Sequence, residues 1–305
     1  MWSTNLVSVE THKAETQIKL DKEIKMGRVL GPFSEKPIST LRISPIGLVE
    51  KPDNGWRLIT HLSYPNQFSV NHFIYKDVCA VKYTSFDSVM DMISELRKSA
   101  KIAKLDISQA FRLLIVNPAE FDLLGIMFEG KFYIDKCLPM GCAISCPLFE
   151  KFSTFLHWLV QIKSGINTLD HYLDDFIFAG EALANDCEIL MNTFLKISEE
   201  LGVPIAENKA VHQTTVLTFL GLEIDTVLMV VRILSCKLLK LKSYIEDILI
   251  RRKIKNRLLE SAVGLQSLCA RAIQSVMAFS RRFYDLLSSV KVKKKKLFNK
   301  NYTGG

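Results

Sequence analysis

The sequence lacks any uncharged apolar run of 18 residues, so no segment is suited to cross a bilayer as a helix. Its first 25 residues are polar and of mixed charge, without the apolar centre of a secretory signal. No Cys-x-x-Cys pair occurs. The seven cysteines (79, 137, 142, 146, 187, 236 and 269) are scattered and odd in number. That argues against a disulfide frame or a zinc site and for reduced thiols in an intracellular protein. Cys137, Cys142 and Cys146 lie close in sequence, but no nearby histidine has ligand spacing, so they read as small packing residues. There is no internal repeat and no long low-complexity linker. What is present is a 305-residue chain with 48% apolar residues, too hydrophobic to be disordered and long enough for one large core or two smaller ones.

Charge is unevenly distributed. The chain is +8 overall, yet residues 232–305 carry 18 Lys/Arg against 4 Asp/Glu, a net +14 that leaves −6 for residues 1–231. An acidic body followed by a basic, helical third suits a partner with a phosphate backbone. The terminal run from Lys291 to Lys300 is equally readable as a solvated tail or as a nuclear-import signal.

Periodicity places the elements. A helix is expected over 16–30, punctuated by Gly27 and Gly31-Pro32. Strands are expected over 44–50 and 56–62, joined by the turn formers Pro52-Asp53-Asn54-Gly55. Phe86, Val89, Met90, Ile93 and Leu96 recur at helical spacing within 84–98. A hairpin around Glu129-Gly130 fits 121–136, and helices fit 147–162, largely buried, and 182–201. A further hairpin is expected from 216–224 and 227–233, then three helices near 235–250, 255–270 and 274–289.

Against this background two acidic sites stand out. Asp174-Asp175, in His171-Tyr172-Leu173-Asp174-Asp175-Phe176-Ile177-Phe178, sit between short apolar strands, where aspartate is disfavoured and a tight turn would prefer Asn-Gly. Asp106 is the one acid in the apolar start of Lys104-Leu105-Asp106-Ile107-Ser108-Gln109-Ala110-Phe111, and a buried acid needs a counter-charge or a metal. If the two strands are neighbours, carboxylates from positions 106 and 174, 68 residues apart, converge with Asp175. Such a cluster repels itself unless cations sit in it. Two Mg²⁺ ions about 3.5–4 Å apart are the arrangement used for in-line phosphoryl displacement.

With these segments, the chain resembles a reverse transcriptase, specifically the DIRS-type (tyrosine-recombinase) retrotransposon branch. The likeness is carried by Gly27-Arg28-Val29-Leu30-Gly31-Pro32-Phe33, Ser44-Pro45-Ile46-Gly47-Leu48-Val49-Glu50-Lys51 and Trp56-Arg57-Leu58-Ile59-Thr60-His61-Leu62-Ser63-Tyr64-Pro65. It continues through residues 105–111, Leu138-Pro139-Met140-Gly141, Tyr172-Leu173-Asp174-Asp175 and residues 217–225, so that it spans roughly 16–290. Each motif is weak alone; seven in order are specific.

The resemblance implies an α+β right-hand polymerase fold with fingers, a palm built on an antiparallel sheet, and a helical thumb. On this chain it implies fingers at 1–83 and 114–143, palm at 84–113 and 144–233, a thumb at 234–290 and a basic tail at 291–305. It implies an RNA-directed DNA polymerase that joins deoxynucleoside triphosphates to a primer 3′-hydroxyl on an RNA or DNA template. Two Mg²⁺ ions, or Mn²⁺, would be held by Asp106, Asp174, Asp175 and the Ile107 carbonyl. One would activate the 3′-hydroxyl and the other neutralise the pyrophosphate.

Lys51 and Arg57 would meet the triphosphate, Phe111 would exclude a ribose 2′-hydroxyl, and Met140 and Gly141 would line the nucleotide. Lys209 would stand near the pyrophosphate as a general acid, and Phe219-Leu220-Gly221 would brace the primer terminus. Each has a plainer reading: exposed cations for Lys51, Arg57 and Lys209, a core aromatic for Phe111, and hairpin packing for residues 219–221. Two departures bear on contacts. Many retroviral relatives carry an acid where this chain has His61, and glutamine where it has Met140. Nothing resembling the RNase H, integrase or recombinase parts of such an element follows, and RNase H and recombinase parts are candidate partners. The rival reading is a catalytically silent, domesticated or decayed nucleic-acid-binding protein that retains the fold.

Overall fold

The computed structural model describes residues 4–51, 55–251, 254–273, 275–276 and 281–288. The turn residues Pro52 to Asn54, parts of the last expected helix and the basic tail at 291–305 lie outside the described residues. The chain divides into two units, one of residues 1–89, 103–179 and 185–212, the other of residues 90–102, 180–184 and 213–305.

The first unit opens with helices α1 (Val7–Thr11) and α2 (Lys13–Lys25) and strand β1 (Val29–Phe33). The helix expected over 16–30 therefore ends early. Gly27 takes φ +69°, and the apolar residues beyond it pair with another strand instead of continuing the helix. Strands β2 (Ile46–Glu50) and β3 (Trp56–Thr60) form the expected antiparallel hairpin, with Val49 opposite Arg57. Helix α3 (Phe86–Glu95) buries Phe86, Val89 and Ile93, the stripe that its spacing predicts. The chain leaves the first unit within α3 and returns within β4 (Lys101–Asp106).

Strands β5 (Gly125–Phe128) and β6 (Lys131–Asp135) make the hairpin expected around Glu129-Gly130, and β1 adds to it in the order β1-β6-β5. Helix α4 (Ser145–Ser164), strands β7 (Leu169–Tyr172) and β8 (Asp175–Gly180), helix α5 (Asp186–Leu201) and strand β9 (Val211–Thr214) complete it. Helix α4 is less buried than its composition suggests: Phe155, Trp158 and Ile162 remain exposed on its outer face.

A four-stranded sheet in the order β7-β8-β4-β9 organises the core. Leu105 of β4, Phe176 and Phe178 of β8, Phe149 and Leu156 of α4, and Leu190 and Phe194 of α5 pack together, nearly all of them fully buried. Strands β4 and β8 are covered over most of their length, which explains their near-continuous apolar runs. Each such aromatic contributes about 1.5–3 kcal/mol by leaving water. Rigidity here matters because both strands end at the acids.

The second unit holds β10 (Val216–Phe219), β11 (Leu222–Asp225), β12 (Val230–Ile233), α6 (Ser235–Ile250) and α7 (Asn256–Cys269). The expected two-stranded hairpin is a three-stranded antiparallel sheet, β10-β11-β12. The run 216–224 is broken because Leu220 and Gly221 both adopt positive φ, +47° and +82°, forming a two-residue turn with Phe219 opposite Leu222. Residues 281–288 are helical. All seven cysteines are free thiols. Among the described residues no helix is long and apolar enough to cross a membrane.

Candidate active site

Asp106 ends β4 and Asp175 opens β8, its neighbour in the sheet. Tyr172 pairs with Asp175 across β7 and β8, so Leu173 and Asp174 are the two turn residues. The acids are therefore divided, one in the turn and one on the strand, and not both in the turn. The Ile107 N–H donates to the Asp174 carbonyl at 2.9 Å, which fixes the turn against the end of β4. The Ala206 N–H donates to the Asp106 carbonyl at 2.9 Å, closing the opposite side. Leu173 takes φ +54°, a conformation that a two-residue turn gives more cheaply to glycine. A backbone held off its preference at this point is the kind of strain that binding sites retain.

The electrostatics are those of a crowded carboxylate site. Asp106 is 3% exposed, and its Oδ2 is buried without a well-aligned hydrogen-bond donor. Lys104 Nζ lies 3.2 Å from that oxygen and 3.9 Å from Asp175 Oδ1, while Lys209 Nζ lies 3.4 Å from Asp106 Oδ1. Burial, then the hydrogen bond and charge of Asp106, push the Asp175 carboxyl up to about 7. For Asp106 itself burial pulls upward, but the hydrogen bond from Asp175 and the charges of Lys104 and Lys209 win and hold it below the usual range. Asp174 is raised by burial and by the Asp106 charge. Added positive charge at this site would favour ionisation of Asp174 and Asp175.

Asp106 and Asp175 are the touching pair. The ammonium groups of Lys104 and Lys209 stand beside them. The donor set fits a hard divalent cation: oxygens only, with the buried Asp106 Oδ2 ion-paired to Lys104 but without a hydrogen bond.

The remaining candidate residues are distributed. Lys209 reaches the acids from a short 3-10 turn, its ammonium resting on Asp106. Phe111 follows Asp106 on the 3-10 turn Ala110–Leu113 and sets its edge against Phe149 (5.3 Å, 80°), half-buried, so its core role is real and one part of the ring stays open. Arg57 is exposed on β3 and has no ion pair among the described residues; Lys51 is half-buried just past β2. His61 stacks on Tyr64 at 5.7 Å, a local aromatic contact where relatives would have an acid. Gly141 takes φ +97°, and a Cβ there would stand 3.1 Å from the Thr60 carbonyl, so the loop runs close to β3. Met140 beside it is half-buried. Phe219, Leu220 and Gly221 belong to the second unit, where Lys237 Nζ occupies the space beside Gly221.

The reverse transcriptase (RNA-dependent DNA polymerase) family profile matches residues 49–224, more than half of the chain. The chain belongs to that family. Protein P of a duck hepatitis B virus isolate from white Shanghai duck is 27% identical over 202 residues, covering 58% of this chain and 25% of that protein. Protein P of a German strain is 26% identical over 220 residues, covering 64% and 28%. The chain thus spans about a quarter of the length of these curated relatives.

The foamy viral protease-reverse transcriptase dRH solved with double-stranded DNA superposes with a TM-score of 0.69 at 20% identity, over 95% of this chain and 45% of that one. The foamy viral protease-reverse transcriptase with an RNA/DNA hybrid gives 0.62 at 20%, over 92% and 37%. The shared fold is the α+β right-hand polymerase, as the motif order implies.

Two site residues escaped the sequence reading. Lys104 sits two positions before Asp106 and shares its side of the strand, a signal that period-2 alternation offers. Glu150 is the single acid in α4; buried at 7% exposure, its Oε2 accepts the Leu173 N–H at 3.2 Å and so holds the turn that carries Asp174. Glu150→Ala leaves that strained amide without its acceptor, at a cost of about 1–3 kcal/mol. The expected result is a kcat for nucleotide addition lowered about tenfold or more, KM for template–primer little changed, and recovery in Glu150→Gln. Equal activity of the Ala and Gln variants would remove the turn-holding role.

Proposed function

We propose that this chain is an RNA-directed DNA polymerase of a retrotransposon, of the DIRS-type branch, that extends a primer 3′-hydroxyl with deoxynucleoside triphosphates. The observation that carries the reading is the meeting of Asp106 and Asp175 at adjacent strand ends, with Asp174 in the turn between β7 and β8. Family membership supports the reaction class. The ordered motifs from Gly27 to Asp225 support the branch.

In this reading Asp106, Asp174, Asp175 and the Ile107 carbonyl hold two Mg²⁺ ions, with Mn²⁺ as a substitute. The ions supply a lowered pKa for the 3′-hydroxyl and neutralise the charge of the pyrophosphate. The protein contributes mainly positioning and fixed charge. Arg57 suits the triphosphate because its planar fork pairs phosphate oxygens bidentately, and among the described residues no ion pair engages that fork. Lys51 adds a second cation from the same hairpin, and Met140 and Gly141 line the nucleotide. Lys209, released from Asp106, is placed to protonate the leaving pyrophosphate. Phe219, Leu220 and Gly221 brace the primer.

The partner is a template–primer duplex, and the foamy viral neighbours solved with double-stranded DNA and with an RNA/DNA hybrid support it. RNase H and recombinase parts of the same element are further partners. The subdomains follow as fingers (1–83, 114–143), palm (84–113, 144–233) and thumb (234–290).

Primer extension on oligo(dT)-primed poly(rA) with Mg²⁺ tests the reading. Synthesis by the wild-type chain supports it. Binding of the duplex without synthesis moves the assignment to a catalytically silent nucleic-acid-binding protein. The sugar gate has its own test: Phe111→Val opens room beside the deoxyribose and raises ribonucleotide incorporation relative to deoxyribonucleotide by tenfold or more, about 1.4 kcal/mol of discrimination. Unchanged sugar selectivity in a folded Phe111→Val protein removes the gate and leaves the contact with Phe149 as the whole role of the ring.

A further inference from the structure

We propose that His157, Asp170 and His171 bind a zinc-class divalent cation, at a site distinct from the catalytic acids, that clasps helix α4 to strand β7. Each of the three side chains offers one ligand atom, and these atoms lie within 4.8 Å of one another. His157 comes from α4, and Asp170 and His171 from β7, so the cluster joins two elements that otherwise meet through apolar packing and through Glu150 of α4, which faces His171. His157 Nδ1 and His171 Nδ1 stand 2.9 Å apart. Tetrahedral zinc, with Zn–N of about 2.0–2.1 Å, places two such nitrogens about 3.3 Å apart, so a small rotation of the half-buried His157 ring makes room.

The surroundings are those of a prepared ligand set. His171 Nε2, buried and without a better partner, faces Glu150 Oε1 at 3.3 Å. Without a cation the two Nδ1 atoms hydrogen-bond each other, so one carries a proton that a metal would displace. With Nδ1 ligating, the ring proton of His171 sits on Nε2, where Glu150 Oε1 stands 3.3 Å away, the arrangement that orients metal-binding histidines. Asp170 Oδ1 accepts from Thr84 Oγ1 at 2.6 Å and from the His171 N–H at 2.8 Å, which anchors the carboxylate and leaves Oδ2 to coordinate. Two imidazoles and one carboxylate select zinc or its transition-metal neighbours over Mg²⁺, which demands oxygen ligands. Water takes the fourth position.

The sequence hid this cluster, since no cysteine pair accompanies it and His157 and His171 lie on different elements. The inference does not rest on the polymerase reading. Its location gives it a consequence all the same: β7 runs directly into Tyr172 and the turn that carries Asp174.

The test uses the full chain, stripped of metal and then titrated with Zn²⁺ in saturating Mg²⁺. The expected result is one Zn²⁺ bound, with a higher Tm and, with Co²⁺ in its place, the visible absorption of a low-coordinate nitrogen–oxygen site. His157→Ala weakens binding by at least about 100-fold, since loss of an outer-shell partner alone costs 10–100-fold. Asp170→Asn serves as the second variant if His157→Ala folds poorly, and it loses affinity in the same direction. Asp106→Asn keeps zinc binding intact. No zinc binding in competition with Mg²⁺ overturns the proposal. So does binding that is lost in Asp106→Asn but survives both substitutions at the cluster, which would place the ion on the catalytic acids.

Discussion

Asp174→Asn is expected to lower primer extension at least about 1,000-fold, roughly 4 kcal/mol of transition-state stabilisation, without lowering the melting temperature of the metal-free protein. The two halves of the prediction have one cause. In the absence of cations the acids are mutually unfavourable: Asp174 and Asp175 are both shifted upward, by burial first and by the neighbouring charge after it. Replacing one carboxylate with a neutral amide of the same shape relieves repulsion and keeps the packing, so the fold gains or stays level. Activity falls because the turn no longer presents an anion toward the space beside Asp106. A site that trades stability for charge behaves in this way. Added Mg²⁺ separates the roles further. If the triad holds Mg²⁺ as proposed, the ion binding the folded state is expected to raise the wild-type melting temperature by mass action, and Asp106→Asn to abolish that rise. Extension at the wild-type rate by a folded Asp174→Asn protein would reject the assignment of the triad.

The acids were legible because buried strands rarely tolerate aspartate, so a lone acid in Leu105-Asp106-Ile107 and a pair before Phe176-Ile177-Phe178 stand out. What neutralises them was less visible. Nothing local in the sequence marks Lys104 as their counter-charge or Glu150 as the acceptor that holds the turn. Only the packing of α4 against β7 turns Glu150 inward to the Leu173 amide.

Boundaries failed where backbone conformation, not composition, decides. Val29 and Leu30 continue a helical period, yet they pair with Ile134 and Asp135 of β6, a partner about 100 residues away in sequence. Val216–Phe219 and Leu222–Asp225 read as one run because Leu220 gives no local sign that it will take positive φ. The stripe Phe86, Val89 and Ile93 succeeded because a helix with one buried face leaves its period in the sequence whatever it packs on.

Arg112→Ala is expected to destabilise the fold by about 3–5 kcal/mol, the cost of breaking a buried ion group, and to lower Tm by roughly 10 °C. Its guanidinium donates to both oxygens of Asp135, at 2.8 and 2.7 Å, and through Nε and Nη2 to Glu23 Oε2 at 3.0 and 2.9 Å. The Cys137 N–H donates to Asp135 Oδ1 at 3.1 Å, so that carboxylate is nearly saturated. Three elements meet there: α2 through Glu23, β6 through Asp135, and the 3-10 turn behind Asp106 through Arg112 itself. Burial opposes the charge on Arg112, but the two carboxylates outweigh it and raise its affinity for the proton.

Removing the arginine leaves two carboxylates facing each other with the burial unchanged, which is why the loss exceeds that of an ordinary pair. Lys163→Ala provides the contrast. Its 2.7 Å pair with Glu200 is about half exposed on both sides and is expected to cost under about 1 kcal/mol. Replacing Glu23, Arg112 and Asp135 together with apolar residues of similar volume should recover most of the loss, because no charge is then stranded. Thermal melts of the three proteins decide the matter, and equal Tm values for Arg112→Ala and Lys163→Ala would show that the group is solvated. The neighbouring residue gives a second reading of the same variant. Phe111 shares the turn with Arg112, so if Phe111 is the sugar gate proposed above, loosening the turn is expected to erode sugar selectivity even where the melted fraction is negligible.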